Sequence, residues 1–133
     1  MLLTRRIDFS ASHRVWRSDW DEERNREVFG PGSCGAGHGH NYTLEVTLRG
    51  PVDEDSGMLI DLKQLKEIMD AEVGARFDHR NLNEDIPYFR DRVPTAENFA
   101  RLIFELMDAV LPLGVLHRVC LSPTPDLSAE VVR

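Results

Sequence analysis

Apolar and polar residues alternate along two stretches of the first fifty residues, and this alternation predicts two strands. In the first stretch, the odd-numbered residues of 3–11, apart from Arg5, are types that favour an inward face, and His13 follows on the same side. In the second, the apolar even-numbered residues of 42–48 alternate with polar ones, which predicts a strand with one buried face. The polar residues 17–28 predict a solvated loop or a short helix.

Helical spacing of apolar residues predicts two helices in the second half of the chain. The first follows Asp61, a typical N-cap residue, and we expect it to end at Gly74. The second follows Pro94, with Thr95 as its cap, and ends before Pro112. Two shorter stretches, residues 115–121 and 127–132, are predicted as the final strands.

This order of elements predicts an α+β fold. Two strands, two helices and two strands favour an antiparallel four-stranded sheet with both helices on one face, in a single domain spanning residues 1–133. Such a sheet has two open edges, and edges in natural proteins are covered or paired. Oligomerisation through the sheet is therefore one expectation.

Charge and composition exclude several classes of function. The net charge of −7 argues against a nucleic-acid binder, which needs a basic face. Residues 1–50 carry seven basic and seven acidic side chains, whereas residues 51–133 carry nine and sixteen, so an anionic small substrate meets less repulsion in the first half. No apolar run approaches membrane-spanning length and the start has no signal-peptide pattern, so we expect a soluble cytoplasmic protein.

Three histidines form the clearest candidate site. His38 and His40 are two residues apart, so they project from the same face of the second strand, and His13 has the inward parity of the first. Three imidazoles with an open fourth position are the ligand set of a catalytic zinc site. A lone His-x-His pair is weak evidence by itself; the surrounding glycines and the in-register His13 strengthen the metal hypothesis.

Two further groups could carry chemistry. Cys34, four residues before His38, is a fourth metal ligand, an activated thiolate, or an ordinary small residue in a glycine-rich loop. Asp78 and His79 are neighbours between the helices, where a carboxylate can fix the tautomer of an imidazole for proton transfer. Such pairs also occur in polar turns by chance, so both readings stay open.

Five ordered motifs resemble the 6-pyruvoyl-tetrahydropterin synthase family, which includes the 6-carboxy-tetrahydropterin synthases of the queuosine pathway. The motifs are Phe9-Ser10-Ala11-Ser12-His13-Arg14, Gly37-His38-Gly39-His40-Asn41-Tyr42, Gly57-Met58-Leu59-Ile60-Asp61-Leu62, Phe77-Asp78-His79-Arg80-Asn81-Leu82-Asn83 and Pro94-Thr95-Ala96-Glu97-Asn98. The resemblance implies a tunnelling fold with the element order ββααββ, in which the sheets of several subunits join into a barrel. It also implies a homo-oligomer, either a trimer or stacked trimers, with active sites between the subunits.

The resemblance also implies roles for individual residues. The zinc ligands would be His13, His38 and His40; Cys34 or a residue near it would be the thiolate base; Asp78 with His79 would relay protons; and Thr95 with Glu97 would bind the pterin. The implied substrate is 7,8-dihydroneopterin triphosphate. Loss of triphosphate with rearrangement gives the 6-pyruvoyl product, and loss of triphosphate and acetaldehyde gives the 6-carboxy product.

Two positions depart from the family pattern. The cysteine of the pyruvoyl branch falls at Gly32, whereas Cys34 has the spacing of the carboxy branch. Pro123 stands where the family carries the glutamate that holds the guanidine-like edge of the pterin. The resemblance as a whole predicts a zinc-dependent pterin lyase, and the spacing of Cys34 favours the 6-carboxy product over the 6-pyruvoyl one. Pro123 supports the alternative, a divergent zinc-binding paralogue with a changed substrate or no catalysis.

Overall fold

Five strands form one sheet in the computed structural model, which describes all 133 residues. They are β1 (Leu2–His13), β2 (His38–Arg49), β3 (Arg80–Asn81), β4 (Leu116–Thr124) and β5 (Leu127–Val132). The spatial order is β3-β1-β2-β4-β5, and every pairing is antiparallel except that of β3 with β1. The α+β class is confirmed.

The prediction of a four-stranded, purely antiparallel sheet is wrong, because β3 adds a fifth strand in the parallel direction. This strand has only two residues, which pair with Ala11 and Ser12 of β1. Two residues are too few to show alternation, so no pattern in the sequence marks them. Because β3 reaches only the last part of β1, most of that edge stays unpaired within the chain.

Five α-helical segments accompany the sheet. They are α1 (Glu22–Phe29), α2 (Leu62–Met69), α3 (Ala75–Phe77), α4 (Leu82–Asp85) and α5 (Ala96–Val110). Asp61 and Thr95 cap α2 and α5 as predicted, each accepting a hydrogen bond from a first-turn backbone N–H. None of the helices combines the length and apolar character that crossing a membrane requires.

The expected end of the first predicted helix at Gly74 is wrong. A wider helical turn, Asp70–Gly74, follows α2 and leads directly into α3. This continuation places Phe77 in the core with 1% of its surface exposed, and burying a phenylalanine contributes about 1.5–3 kcal/mol. Core burial therefore outweighs the helix-ending tendency of glycine.

The core lies between one face of the sheet and the helices. Twenty-one buried apolar residues form one cluster, drawn from the central strands, α2, α5 and the connecting segments. Phe9 and Ala11 of β1 belong to it, which confirms the predicted inward parity. His13 is the next residue in this row and is 6% exposed, so the strand carries an imidazole to the end of the core.

Candidate functional site

The register between β1 and β2 brings three imidazoles together. His13 pairs with His38 across the two strands, and Ala11 pairs with His40, so all three rings lie at the same end of the sheet. The Nε2 atom of His13 lies 3.1 Å from Nε2 of His38 and 3.2 Å from Nε2 of His40. The cluster combines one buried, one half-buried and one exposed histidine.

This geometry fits a tetrahedral metal ion. Zinc–nitrogen bonds of 2.0–2.1 Å at tetrahedral angles place the nitrogens about 3.3 Å apart, close to the spacing from His13 to the other two rings. A proton can bridge only one of these pairs, whereas a cation can lie between all three nitrogens. The site therefore fits zinc through its donor set and its nitrogen spacing.

A hydrogen bond behind His13 orients it as a ligand. Its Nδ1 lies 2.7 Å from the carbonyl oxygen of Pro94, which only accepts, so Nδ1 carries the proton and Nε2 presents its lone pair. Burial lowers the pKa of His13 to about 4, and burial also lowers the pKa of His40. Both rings are therefore neutral near pH 7, as metal binding requires. Sequence reasoning missed the Pro94 contact because a backbone carbonyl leaves no residue-type signal.

The three histidines line a cavity of about 490 Å³ together with the predicted substrate-binding residues. Thr95 and Glu97, at the start of α5, form one part of the wall, and Pro123 of β4 forms another. The remaining lining residues are Val15, Gly32, Tyr42, Ala96, Ala100, Arg101, Thr124, Leu127, Ser128, Ala129, Glu130 and Val131. We call this space the histidine cavity. It brings five of the eight predicted site residues together.

The two carboxylates of the histidine cavity differ in their partners. Glu130 accepts a hydrogen bond of 2.5 Å from Arg118, which also pairs with Glu45. The side chain of Glu97 makes no hydrogen bond or ion pair, although Arg101 lies one helical turn further along α5. Glu97 is therefore the carboxylate free to accept hydrogen bonds from a ligand.

Asp78 and His79 form the expected pair, outside the histidine cavity. Asp78 Oδ2 lies 3.0 Å from His79 Nδ1, and Asp78 Oδ1 accepts the backbone N–H of Ser10 at 2.9 Å, which holds the pKa of the carboxyl below its ordinary value. The backbone of His79 donates to the Ser10 carbonyl and has a φ of 59°, a rare conformation for a residue other than glycine. The His79 side chain is 84% exposed, and neither Asp78 nor His79 lines the histidine cavity.

Cys34 also lies away from the three histidines. Its side chain is exposed and lines a separate cavity of about 450 Å³, and its Sγ atom is not part of the cluster of metal-ligating atoms. Gly32, where the family resemblance would place the cysteine of the pyruvoyl branch, lines the histidine cavity instead. Within one chain, Cys34 and the three clustered histidines therefore line different cavities.

The fold and the site together define a class of protein: an α+β domain whose sheet presents three histidines that could hold a metal ion beside a ligand-sized cavity. A family model described as "6-pyruvoyl tetrahydropterin synthase" matches residues 2–133. The chain therefore belongs to the 6-pyruvoyl tetrahydropterin synthase family. This confirms the resemblance of the five motifs and the expectation of a lyase-type enzyme related to the tetrahydropterin synthases.

Relatives of both branches are similar to the chain. The human 6-pyruvoyl tetrahydrobiopterin synthase is 44% identical over 117 residues, covering 88% of this chain and 81% of the relative. A putative 6-carboxy-5,6,7,8-tetrahydropterin synthase of Archaeoglobus fulgidus is 41% identical over 136 residues, covering 100% and 96%. The Caenorhabditis elegans 6-pyruvoyl tetrahydropterin synthase structure superposes with a TM-score of 0.95 at 37% identity, covering 100% of this chain and 95% of that one.

Proposed function

We propose that this protein is a zinc-dependent tetrahydropterin synthase acting on 7,8-dihydroneopterin triphosphate. The observation that carries the proposal is the convergence of three Nε2 atoms beside the histidine cavity, in a chain of this family. His13, His38 and His40 would hold the zinc. When bound, zinc polarises the side-chain oxygens of the substrate and acidifies the neighbouring carbon.

The residues of this chain divide the remaining work between ligand binding and proton transfer. Pro94 keeps the imidazole of His13 in the tautomer that offers Nε2. Asp78 fixes the tautomer of His79 in the same way, which prepares this exposed imidazole to accept or donate a proton. Because neither residue lines the histidine cavity of its own chain, we propose that the pair acts at the site of a neighbouring copy, in a homo-oligomer that is a trimer or a stack of trimers.

Cys34 is the proposed thiolate base, and its spacing from His38 supports the 6-carboxy product ahead of the 6-pyruvoyl one. Its position on a separate cavity means that it reaches the reacting carbon only after the loop of residues 34–37 moves, or from another copy. Gly32 lines the histidine cavity itself and has room for a Cβ, since the nearest atom to an added Cβ is a side-chain carbon of Val15 at 3.4 Å.

We assign the pterin-anchoring role to Glu97. Pro123 is buried in the wall of the histidine cavity and its side chain accepts no hydrogen bond, while Glu130 is held by Arg118. Glu97 has no internal partner, so its carboxylate can pair with the guanidine-like edge of a pterin. Thr95 lies beside it, with its hydroxyl engaged in the α5 cap.

A second candidate function rests on the same proline. A paralogue that kept the zinc site but changed or abandoned the pterin substrate would also carry Pro123. The unpaired Glu97 in the same cavity weighs against it, since it supplies the missing acceptor.

Incubating the zinc-loaded protein with 7,8-dihydroneopterin triphosphate and identifying the products by mass spectrometry tests the proposal. We expect release of triphosphate with a 6-carboxy pterin, and a 6-pyruvoyl pterin would keep the enzyme class but reverse the branch. An unchanged substrate, with zinc content verified, would favour the divergent paralogue. The His38→Ala variant serves as the control for metal-dependent turnover.

A further inference from the structure

A second and larger cavity, of about 900 Å³, lies on the other side of the segment 13–16 from the histidine cavity. His13 and Val15 line the histidine cavity, whereas Arg14 and Trp16 line the larger one, as side chains of an extended backbone do. Gly37 lines the larger cavity and packs closely on this segment, since a Cβ on it would lie only 2.8 Å from the carbonyl oxygen of His13, and no residue lines both cavities. The two cavities are therefore separate sites within one chain.

The larger cavity collects positive charge on a protein that is acidic overall. Four arginines line it, against a net charge of −7 for the whole chain: Arg14, Arg17, Arg90 and Arg92. Two of them are neutralised locally, because Arg17 pairs with Asp19 and Arg92 pairs with Asp91. Neither Arg14 nor Arg90 pairs with a carboxylate. We call this space the arginine cavity.

One of these free guanidinium groups is held in place before any ligand binds. Arg14 lies over the ring of Trp16, 3.3 Å from its centroid, and its Nε donates to the carbonyl of Ser33. Asn83 fixes the Arg14 backbone from both sides, accepting from its N–H and donating to its carbonyl. The remaining nitrogens of the guanidinium are free for a ligand, and little conformational entropy is lost when they bind it.

Further unpaired groups surround these arginines. Gly35 and Ala36 line the cavity in a turn, and their backbone N–H groups donate no hydrogen bond within the chain. Successive N–H groups in turns are typical parts of anion-binding sites. Among the carboxylates that line the cavity, only Glu84 has no arginine partner. Its negative charge therefore repels a bound anion and weakens its binding.

We propose that the arginine cavity binds a polyphosphate group. Guanidinium groups match phosphate oxygens in pairs, and two unpaired arginines with free backbone donors suit a chain of phosphates better than a single carboxylate. The group could be the triphosphate tail of a substrate that is held in the histidine cavity of a neighbouring copy. This first alternative rests on the proposed function. That cavity offers the tail a single cation, Arg101. The other source is a free polyphosphate.

Calorimetric titration of the zinc-loaded protein with inorganic triphosphate tests the proposal without turnover. We expect binding that weakens about tenfold in Arg90→Gln and in Arg14→Gln, as loss of a hydrogen bond to a charged group predicts. The matched control is Arg76→Gln, which removes the same charge from an exposed pair with Glu72 and should change affinity less than twofold. The Glu84→Gln variant should tighten binding roughly threefold.

The outcomes separate the two sources. If Arg90→Gln also raises KM for 7,8-dihydroneopterin triphosphate, the cavity receives a substrate tail; if KM is unchanged, it serves a free polyphosphate. Binding of inorganic triphosphate by a protein that shows no turnover would leave this proposal standing while the proposed function fails. Absence of binding at millimolar triphosphate, or equal affinity in Arg90→Gln and Arg76→Gln, would overturn it.

Discussion

Replacing Glu97 with glutamine should weaken pterin binding about tenfold. The change keeps the shape of the side chain but removes its negative charge, so the guanidine-like edge of a pterin loses charge-assisted hydrogen bonds. Such bonds contribute about 1.5–3 kcal/mol, and we take the lower figure because Glu97 is exposed; about 1.4 kcal/mol corresponds to a factor of ten in Kd.

Calorimetric binding of 7,8-dihydropterin, which lacks the triphosphate, isolates this contact. The control is Glu130→Gln: it removes the other carboxylate of the histidine cavity, but one already held by Arg118, so affinity should stay within twofold. Pro123→Glu should tighten binding of the pterin about tenfold, because a carboxylate at this position would line the same cavity. The β4–β5 register is already irregular at position 123, between Leu121 and Thr124. Equal affinities for Glu97→Gln and the parent protein would refute the assignment.

Three further predictions concern the three-histidine cluster and the proposed proton-transfer residues, Cys34 and His79. Burial lowers the pKa of His13 from 6.5 to about 4, so between these pH values the unfolded chain binds a proton that the folded state excludes. As the pH falls from 6.5 to 4, the free energy of unfolding of the metal-free protein, measured by urea titration, should therefore fall by up to about 3 kcal/mol. The same loss of stability in a His13→Gln variant would contradict this. Cys34→Ala should lower kcat by about 10²–10⁴, and adding Gly32→Cys should restore part of it; a single variant with parental kcat would remove Cys34 from the mechanism. His38→Ala and His79→Ala should each be inactive, yet refolded together they should regain activity if the two groups act across subunits, whereas an inactive mixture would place them in one chain's site.

Much of the fold follows from sequence periodicity because the core imposes it. The inward parity of β1, the capped starts of α2 and α5, and strands β4 and β5 were all predictable, since each packs a regular set of apolar side chains against the core, in β5 only partly buried ones. Strand β3 and the continuation of α2 into α3 were not. They depend on contacts with distant residues, Ala11 for β3 and the apolar core for Phe77, which no local pattern reveals.

The candidate site divides in the same way. Histidine spacing on two adjacent strands predicts a shared face, and the observed register brings His13, His38 and His40 within reach of one ion. The place of Cys34 was not predictable, because a glycine-rich loop allows many backbone paths and spacing alone does not choose between them. That Glu130 is paired while Glu97 stays unpaired was likewise not predictable, because the partner of Glu130 is Arg118, twelve residues away along the chain.

Zinc titration of the metal-free protein, with triphosphate release from 7,8-dihydroneopterin triphosphate as the readout, tests the central claim most directly. We expect activity to rise with added zinc and to saturate at one ion per chain, with no rise in His38→Ala. Turnover that is the same before and after zinc addition, in protein shown to be metal-free, would contradict the account.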